Sequence, residues 1–437
     1  MALNLKGLIV WTIQVKLGLN DKKKDKLVFI ALATFVASAL FIPIISSIAH
    51  AGDDIILGRA MFNRMWTSSP ASTLTADGLG PLYNARACVV CHKDGRKGTI
   101  KRGKYPRLLF RLTSDPIYGN QFQPIAVTGL LGEGVIDVTY SELMHTLADG
   151  SVVSLRKPNY KVSLLNYGDM IDAGAISPRS APSVRGVGAL QSISDSDILA
   201  KNDPDDSDNN GISGRVNMVL NLENGQKQIG RFGWKAIQPT VRQQNAGAAM
   251  GDLGISTLLF PKGSGECTEN ELECLALPSG NSPQYENLEL PSDLENLMLK
   301  YVLSLNPDTP KNKTDVSRGA KVFNTVGCNE CHTPSYTISK NKIIYPYTDL
   351  LLHDMGVRLS DSVQEGDALG YEWKTPALWG NGKKVRKSKS YFLHDGRARN
   401  ILEAILWHGG EADKSRKAFE SLPEKRRNYL LEFVESL

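Results

Sequence analysis

Cys88-Val-Val-Cys91-His92 and Cys328-Asn-Glu-Cys331-His332 decide how this chain is read. Both are C-x-x-C-H, the spacing of c-type haem attachment. Two thiols one turn apart reach the two vinyl groups of one haem. The next residue, His, then lies under the iron as an axial ligand. A structural zinc site needs four ligands in one place, whereas these pairs lie 240 residues apart, each with its own His. A thioredoxin-like redox pair needs neither the His nor a duplicate. Two covalently bound haem c groups are therefore expected, with Cys88, Cys91, Cys328 and Cys331 holding the rings and His92 and His332 the irons. The remaining pair, Cys267 and Cys274, has no adjacent His. In an oxidising compartment it is expected to form a local disulfide.

The sequence around the two motifs repeats. Gly58-Arg-Ala-Met-Phe62-Asn63 precedes the first, and Gly319-Ala-Lys-Val-Phe323-Asn324 precedes the second. Met298-Leu-Lys-Tyr-Val-Leu-Ser-Leu305 matches Leu430-Leu-Glu-Phe-Val-Glu-Ser-Leu437. All four put apolar residues at helical spacing. An opening helix, C-x-x-C-H and a closing helix describe a small cytochrome c domain. The expectation is a mainly α protein of two such domains, 52–306 and 315–437. The polar, Pro-containing segment Asn306-Pro-Asp-Thr-Pro-Lys-Asn-Lys-Thr314 would link them. The first domain is too long for a bare cytochrome and carries an insertion from about 102 to 225. Arg107-Leu-Leu-Phe-Arg-Leu-Thr113 and Val135-Ile-Asp-Val-Thr-Tyr140 alternate as short strands do, so the insertion is expected to contain β-structure.

The 437 residues carry a formal charge of +5. Most of the excess sits in residues 1–51, where Lys22, Lys23, Lys24 and Lys26 precede an apolar run from Leu27 to Ala49. Residues 52–437 carry roughly +1, which is no nucleic-acid footprint. Ala49-His50-Ala51 is a small-x-small cleavage pattern. Residues 1–51 thus read as a signal peptide, with an uncleaved membrane anchor as the other reading. Both export the rest of the chain, and the periplasm is the expected compartment. Within the insertion, Asp203-Pro-Asp-Asp-Ser-Asp-Asn-Asn-Gly-Ile-Ser-Gly214 packs acids around a glycine turn. Asp205, Asp208 and Asn210 are candidate Ca²⁺ ligands. The loop lacks the Glu that closes an EF-hand, and a solvated acidic loop is the other reading.

Longer segments carry a resemblance. They include Gly78-Leu-Gly-Pro-Leu-Tyr-Asn-Ala-Arg86, Arg231-Phe-Gly-Trp-Lys-Ala236, Asp349-Leu-Leu-Leu-His-Asp-Met-Gly356, Glu372-Trp-Lys-Thr-Pro-Ala-Leu-Trp379, Leu393-His-Asp-Gly-Arg-Ala-Arg399 and Leu402-Glu-Ala-Ile-Leu-Trp-His-Gly-Gly-Glu-Ala412. With them the chain after residue 52 resembles the dihaem oxidoreductases, also described as thiol oxidoreductases, which are relatives of bacterial dihaem cytochrome c peroxidases. The resemblance implies a Trp between the haems, a Gln about ten residues on, and then an acid. Trp234, Gln244 and Asp252 match that order, with Asp a shorter arm than the Glu of the peroxidases. The relatives place a Met or Tyr after their H-D-G motif as the second haem's distal ligand. Here His408 stands there, with Met355 and His353 as runners-up. A bis-His haem would have a lower potential than a His/Met one. His394 and Arg397 in H-D-G-R would contact haem propionates, a bidentate role that suits Arg and extends to Arg399. In the insertion only His145 could serve as a sixth ligand to the first haem, which is otherwise expected to be open.

These features point to three functions. The leading one is an oxidoreductase that reduces peroxide, or a related oxidant, at the first haem. Its electrons would pass through the second haem from a small cytochrome or cupredoxin. The alternatives are a non-catalytic electron-transfer cytochrome, and haem-based oxidation of a protein or polymer.

Overall fold

The helix before each C-x-x-C-H motif crosses a second helix closely, and a glycine makes that possible. In the computed structural model, which describes residues 52–98, 100, 107–172, 174–307, 316–382 and 391–437, the two crossings repeat. The leader, most of the interdomain segment and the start of the insertion lie outside the described residues. A Cβ on Gly319 would sit 2.1 Å from the Tyr429 carbonyl oxygen. One on Gly58 would sit 2.0 Å from that of Leu297. Phe323 meets Phe433 edge-on at 5.3 Å, and Phe62 meets Tyr301 edge-on at 5.5 Å. Each phenylalanine also faces its motif's histidine, Phe62–His92 at 6.4 Å and Phe323–His332 at 6.3 Å.

The helices that position the site are α1 (Val241–Leu253), α2 (Ser292–Ser304), α3 (Val316–Thr325), α4 (Ile401–Trp407), α5 (Asp413–Glu420) and α6 (Glu424–Ser436). α1 is capped by the Thr240 side chain, which accepts from Gln243 N–H, and is ended by Gly254 in the left-handed region. Asn400 caps α4 in the same way through Glu403 N–H. The predicted helices at Gly319–Asn324, Met298–Leu305 and Leu430–Leu437 fall on α3, α2 and α6.

The expected strands are present and extend further than the sequence indicated. β1 (Leu108–Asp115), β2 (Gly119–Gln121) and β5 (Ile176–Ser180) form an antiparallel sheet in the order β2-β1-β5. β3 (Val135–Thr146) and β4 (Val152–Ser163) form a long antiparallel hairpin, in register from Val135↔Ser163 to Thr146↔Val152. Ile136 and Val138 at its base pack with Phe110, Tyr118 and Phe122 of the sheet. Leu147 and Leu155 at its tip join the core built by α3, α4 and α6, against Phe323, Leu406 and Leu430. Polar contacts fix the same docking: His145 pairs with Glu420 at 3.0 Å, Arg399 with Glu142 at 3.0 Å, and Asp149 with Arg427.

A mainly α class is therefore wrong. The chain is mixed, about 30% helix and 22% strand, with seven small sheets among the described residues. Most of the unexpected strand lies in the insertion, where the hairpin and sheet run longer than the sequence indicated, and the C-terminal segment adds the short pairs Tyr336–Ile338 with Lys342–Ile344 and Leu352–Asp354 with Glu372–Lys374. Three-residue strands are too short for alternation to register. Residues 58–437 make one compact unit, and no helix of the described residues is long and apolar enough to cross a membrane.

Candidate functional site

Cys88–Cys91 is a single helical turn, closed by His92 N–H donating to the Cys88 carbonyl at 2.9 Å. Cys328–Glu330 is a 3-10 turn, closed in the same way by His332 at 3.0 Å. Both motifs line one continuous cavity of about 1030 Å³. Burial pushes both imidazoles down to about 4, and the Pro182 and Tyr347 backbones only partly offset it. Each ring is thus neutral, the form a metal ligand needs. His332 Nδ1–H donates to the Tyr347 carbonyl at 2.9 Å, since a carbonyl can only accept. That leaves Nε2 for a metal, the arrangement that orients ligating histidines elsewhere. The four motif cysteines are free, and burial pushes the Cys88, Cys91 and Cys328 thiols up to about 12. Neutral imidazoles beside unpaired thiols, facing one large cavity, fit two haems.

The first motif lies beside Asp252, from the last turn of α1, on a cavity that Gln244 of the first turn also lines. Asp252 lines the cavity, and burial raises its carboxyl to about 6 against the hydrogen bond from Gln121. Its charge would be felt at Cys88 and Cys91, which puts it beside the first attachment site. Gln121 Nε2 donates to Asp252 Oδ1 and to the Gly251 carbonyl, both at 2.9 Å, and to Asn84 Oδ1 at 2.7 Å. Gln121 is fully buried, and nothing local in the sequence marks it; only its place in β2, across from α1, brings it there. Gln244 also lines the cavity, and its Oε1 is buried without a hydrogen-bond partner.

Aromatic rings lie on the cavity wall. Trp234 donates through Nε1 to the Ser180 carbonyl at 2.8 Å and meets His394 edge-on at 6.4 Å. His394 stacks on Trp373, 3.6 Å between centroids and 8° from parallel. Lys97 lies over Trp234, and Arg179 and Lys235 lie over Trp373. Burial, with Arg397, Arg179 and Lys235 nearby, holds His394 well below the usual histidine range despite Asp395. No role for Trp373 was legible in the sequence.

His408 ends α4 on the cavity wall beside the second motif, close enough for its charge to act on His332. Its Nδ1–H donates to the Ala404 carbonyl at 2.7 Å, which frees Nε2. Of the runners-up, Met355 lines the cavity. His353 has both ring nitrogens occupied, Nε2 by Asp349 at 2.8 Å and Nδ1 by Glu411 at 2.6 Å. Lys374 is buried and lines the cavity, and its ammonium has no hydrogen bond or ion pair among the described residues. Burial pushes it down to about 8, partly countered by Asp349. It suits a carboxylate of the cofactor better than Arg397 does. Arg397 donates to Asp395 at 2.8 Å and to the Arg358 carbonyl at 2.6 Å and does not line the cavity. Arg399 is taken up by Glu403 and Glu142.

Elsewhere, His145 belongs to the hairpin tip and its contact with Glu420, not to the first motif. Cys267 and Cys274 are joined as a disulfide. In the acidic loop the carboxylates brought within 4.8 Å of one another are Asp203, Asp206 and Asp208. Of the candidate ligands, Asp208 is in that group and Asp205 is not, while Asn210 donates through Nδ2 to Asp208 at 3.0 Å. The three acids already accept from the Ser207, Gly211 and Asn210 backbone N–H groups.

Comparison with known proteins adds a family. A comparison with curated proteins found no match. A solved structure of Kuenenia stuttgartiensis hydrazine synthase, pressurised with xenon, aligns at 18% identity over 40% of this chain and 63% of that one. At a TM-score of 0.26 it carries no argument. The family described as "Di-haem oxidoreductase, putative peroxidase" matches residues 123–437, which include the second C-x-x-C-H, Trp234, Gln244, Asp252 and His408. With two such motifs on one cavity, the chain is a haem-binding member of the di-haem oxidoreductase family.

Proposed function

We propose that the chain is an exported, periplasmic dihaem c-type cytochrome that reduces hydrogen peroxide or a related oxidant. The first haem would be held by Cys88, Cys91 and His92, and the second by Cys328, Cys331, His332 and His408, in cytochrome c-like halves 52–306 and 315–437. The observation that carries this reading is the shared cavity, with a carboxyl of raised pKa on the first side and a free imidazole on the second. Bound haem would supply the redox-active iron, while the protein sets ligation, proton supply and access.

Reduction of one peroxide takes two electrons and two protons and yields two waters. Asp252, ionised above about 6, would take a proton from one peroxide oxygen and return it to the other, as a general base and then acid. Gln121 fixes its orientation, and Gln244 Oε1 offers an acceptor for the substrate O–H. His408 would keep oxidant away from the second site, so that site only passes electrons from a small donor cytochrome or cupredoxin. Trp234, with His394 and Trp373, would line the route between the two.

The test is EPR and visible spectroscopy of the purified protein, oxidised and half-reduced, before and after peroxide. A high-spin ferric signal from one haem, consumed by stoichiometric peroxide, supports the reading. Two low-spin haems unmoved by peroxide in both states would leave an electron carrier.

A further inference from the structure

The His408 ring is held from its own helix by the Ala404 carbonyl, but the chain that follows it offers no side chain as an anchor for two residues. Gly409 and Gly410 come next, and Gly410 adopts a positive φ of 55°. Two glycines cannot hold a direction by side-chain packing. The next side chain, Glu411, is anchored heavily. Its carboxylate accepts from His353 Nδ1 at 2.6 Å, Ser213 Oγ at 2.9 Å and the Asp354 backbone N–H at 3.1 Å. The His353 ring is gripped on its other side by Asp349, which is 1% exposed and 2.8 Å away. The Glu411 partners come from two separate parts of the chain, the end of the acidic loop and the strand Leu352–Asp354, with Asp349 just before the strand backing His353.

We propose that Glu411 is a positioning residue for His408, clasping the glycine turn after α4 to His353 and Ser213 and so setting how the imidazole meets the second haem. The inference rests on His408 being that haem's axial ligand. The clasp is selective for a carboxylate. Glu411 receives only donors, and a carboxylate supplies two oxygens for three of them, whereas an amide supplies one oxygen and a misplaced N–H₂. With Asp349 opposite, His353 has a carboxylate at each ring nitrogen, at 2.8 Å on one side and 2.6 Å on the other, so the ring is fixed between them. The neighbouring Asp354 backbone and the Met355 carbonyl, 3.1 Å from where a Gly409 Cβ would lie, leave the turn no slack on that side. The acidic loop enters through its last residues. Its ends are joined by Asp203 N–H donating to the Gly214 carbonyl at 2.8 Å, and Ser213 adjoins that closure.

The experiment compares Glu411→Gln, Ser213→Ala and His408→Ala with the parent holoprotein, by EPR g-values and spectroelectrochemical titration of each haem. Glu411→Gln should shift the g-values and the potential of the second haem only, with two haems retained per chain. Ser213→Ala, which removes one donor and leaves the ion pair, should shift them in the same direction by less. It serves as the probe if Glu411→Gln does not accumulate folded. Parent-like spectra and potentials in both variants, beside a changed His408→Ala, would overturn the clasp. If His408→Ala itself left the second haem unchanged, the ligand assignment would fall instead, and the clasp with it.

Discussion

A carboxyl proposed for acid–base work is useful at neutral pH only if its environment brings its pKa toward the working range, and burial does this for Asp252. Its base role requires the ionised form, so peroxide consumption should rise with pH through about 6. Asp252→Asn should lower the rate by about 10²–10⁴-fold, the usual contribution of acid–base catalysis. Haem content and the resting spectrum should stay unchanged. Stopped-flow peroxide decay measures both effects. His394 gives a prediction of stability. Its folded pKa is held well below 6.5, so its neutral form contributes fully above about 6.5, and that contribution is lost as pH falls and the unfolded state gains a proton. Denaturant midpoints of the parent should therefore drop between neutral and mildly acidic pH more than those of His394→Phe, which keeps a ring against Trp373. The two C-x-x-C-H motifs and the Trp234–Gln244–Asp252 series, which fold onto one cavity, could be picked out in the sequence as candidates, because short fixed spacings or motif order announce them. Gln121, Trp373, Lys374 and Glu411 were not. Gln121 meets Asp252, Trp373 meets His394 and Glu411 meets Ser213 only through folding, Lys374 reaches the cavity wall in the same way, and no local pattern marks such placements.

At the scale of elements, the opening and closing helices were readable from apolar spacing, and their crossings explain why glycine occupies positions 58 and 319. Replacing Gly319 with Ala would drive a methyl into the Tyr429 carbonyl, 2.1 Å away. That overpacking should cost about 1–3 kcal/mol, seen as a lower unfolding midpoint. The hairpin was readable only at its start. Val135–Tyr140 alternates, but beyond it Ser141, Glu142, Leu143 and Met144 are exposed, so the second half of β3 shows no buried face in sequence. Its purpose becomes visible only at the tip, where Leu147 and Leu155 enter a core built from residues more than 150 positions later. Leu155 is fully buried. Leu155→Ala should destabilise the protein by about 2–5 kcal/mol, although the change lies outside the C-terminal segment whose core it empties.

For the molecule as a whole, sequence repetition suggested two similar halves, and the crossings around Gly58 and Gly319 repeat in space. The insertion does more than decorate the first. Because its tip completes the core of α3, α4 and α6, thermal unfolding of residues 58–437 should be a single cooperative transition, followed by circular dichroism and by haem absorbance together. Two separated transitions would mean that the hairpin docks loosely. The docking has an electronic consequence as well. Tunnelling between redox centres decays exponentially with their separation, so a pair joined only by a Pro-containing tether would exchange electrons at a rate that fluctuates with every rearrangement. On the proposed reading, a stapled hairpin, with apolar residues, two ion pairs and the His145–Glu420 contact at its far end, would turn that variable gap into a constant of the structure.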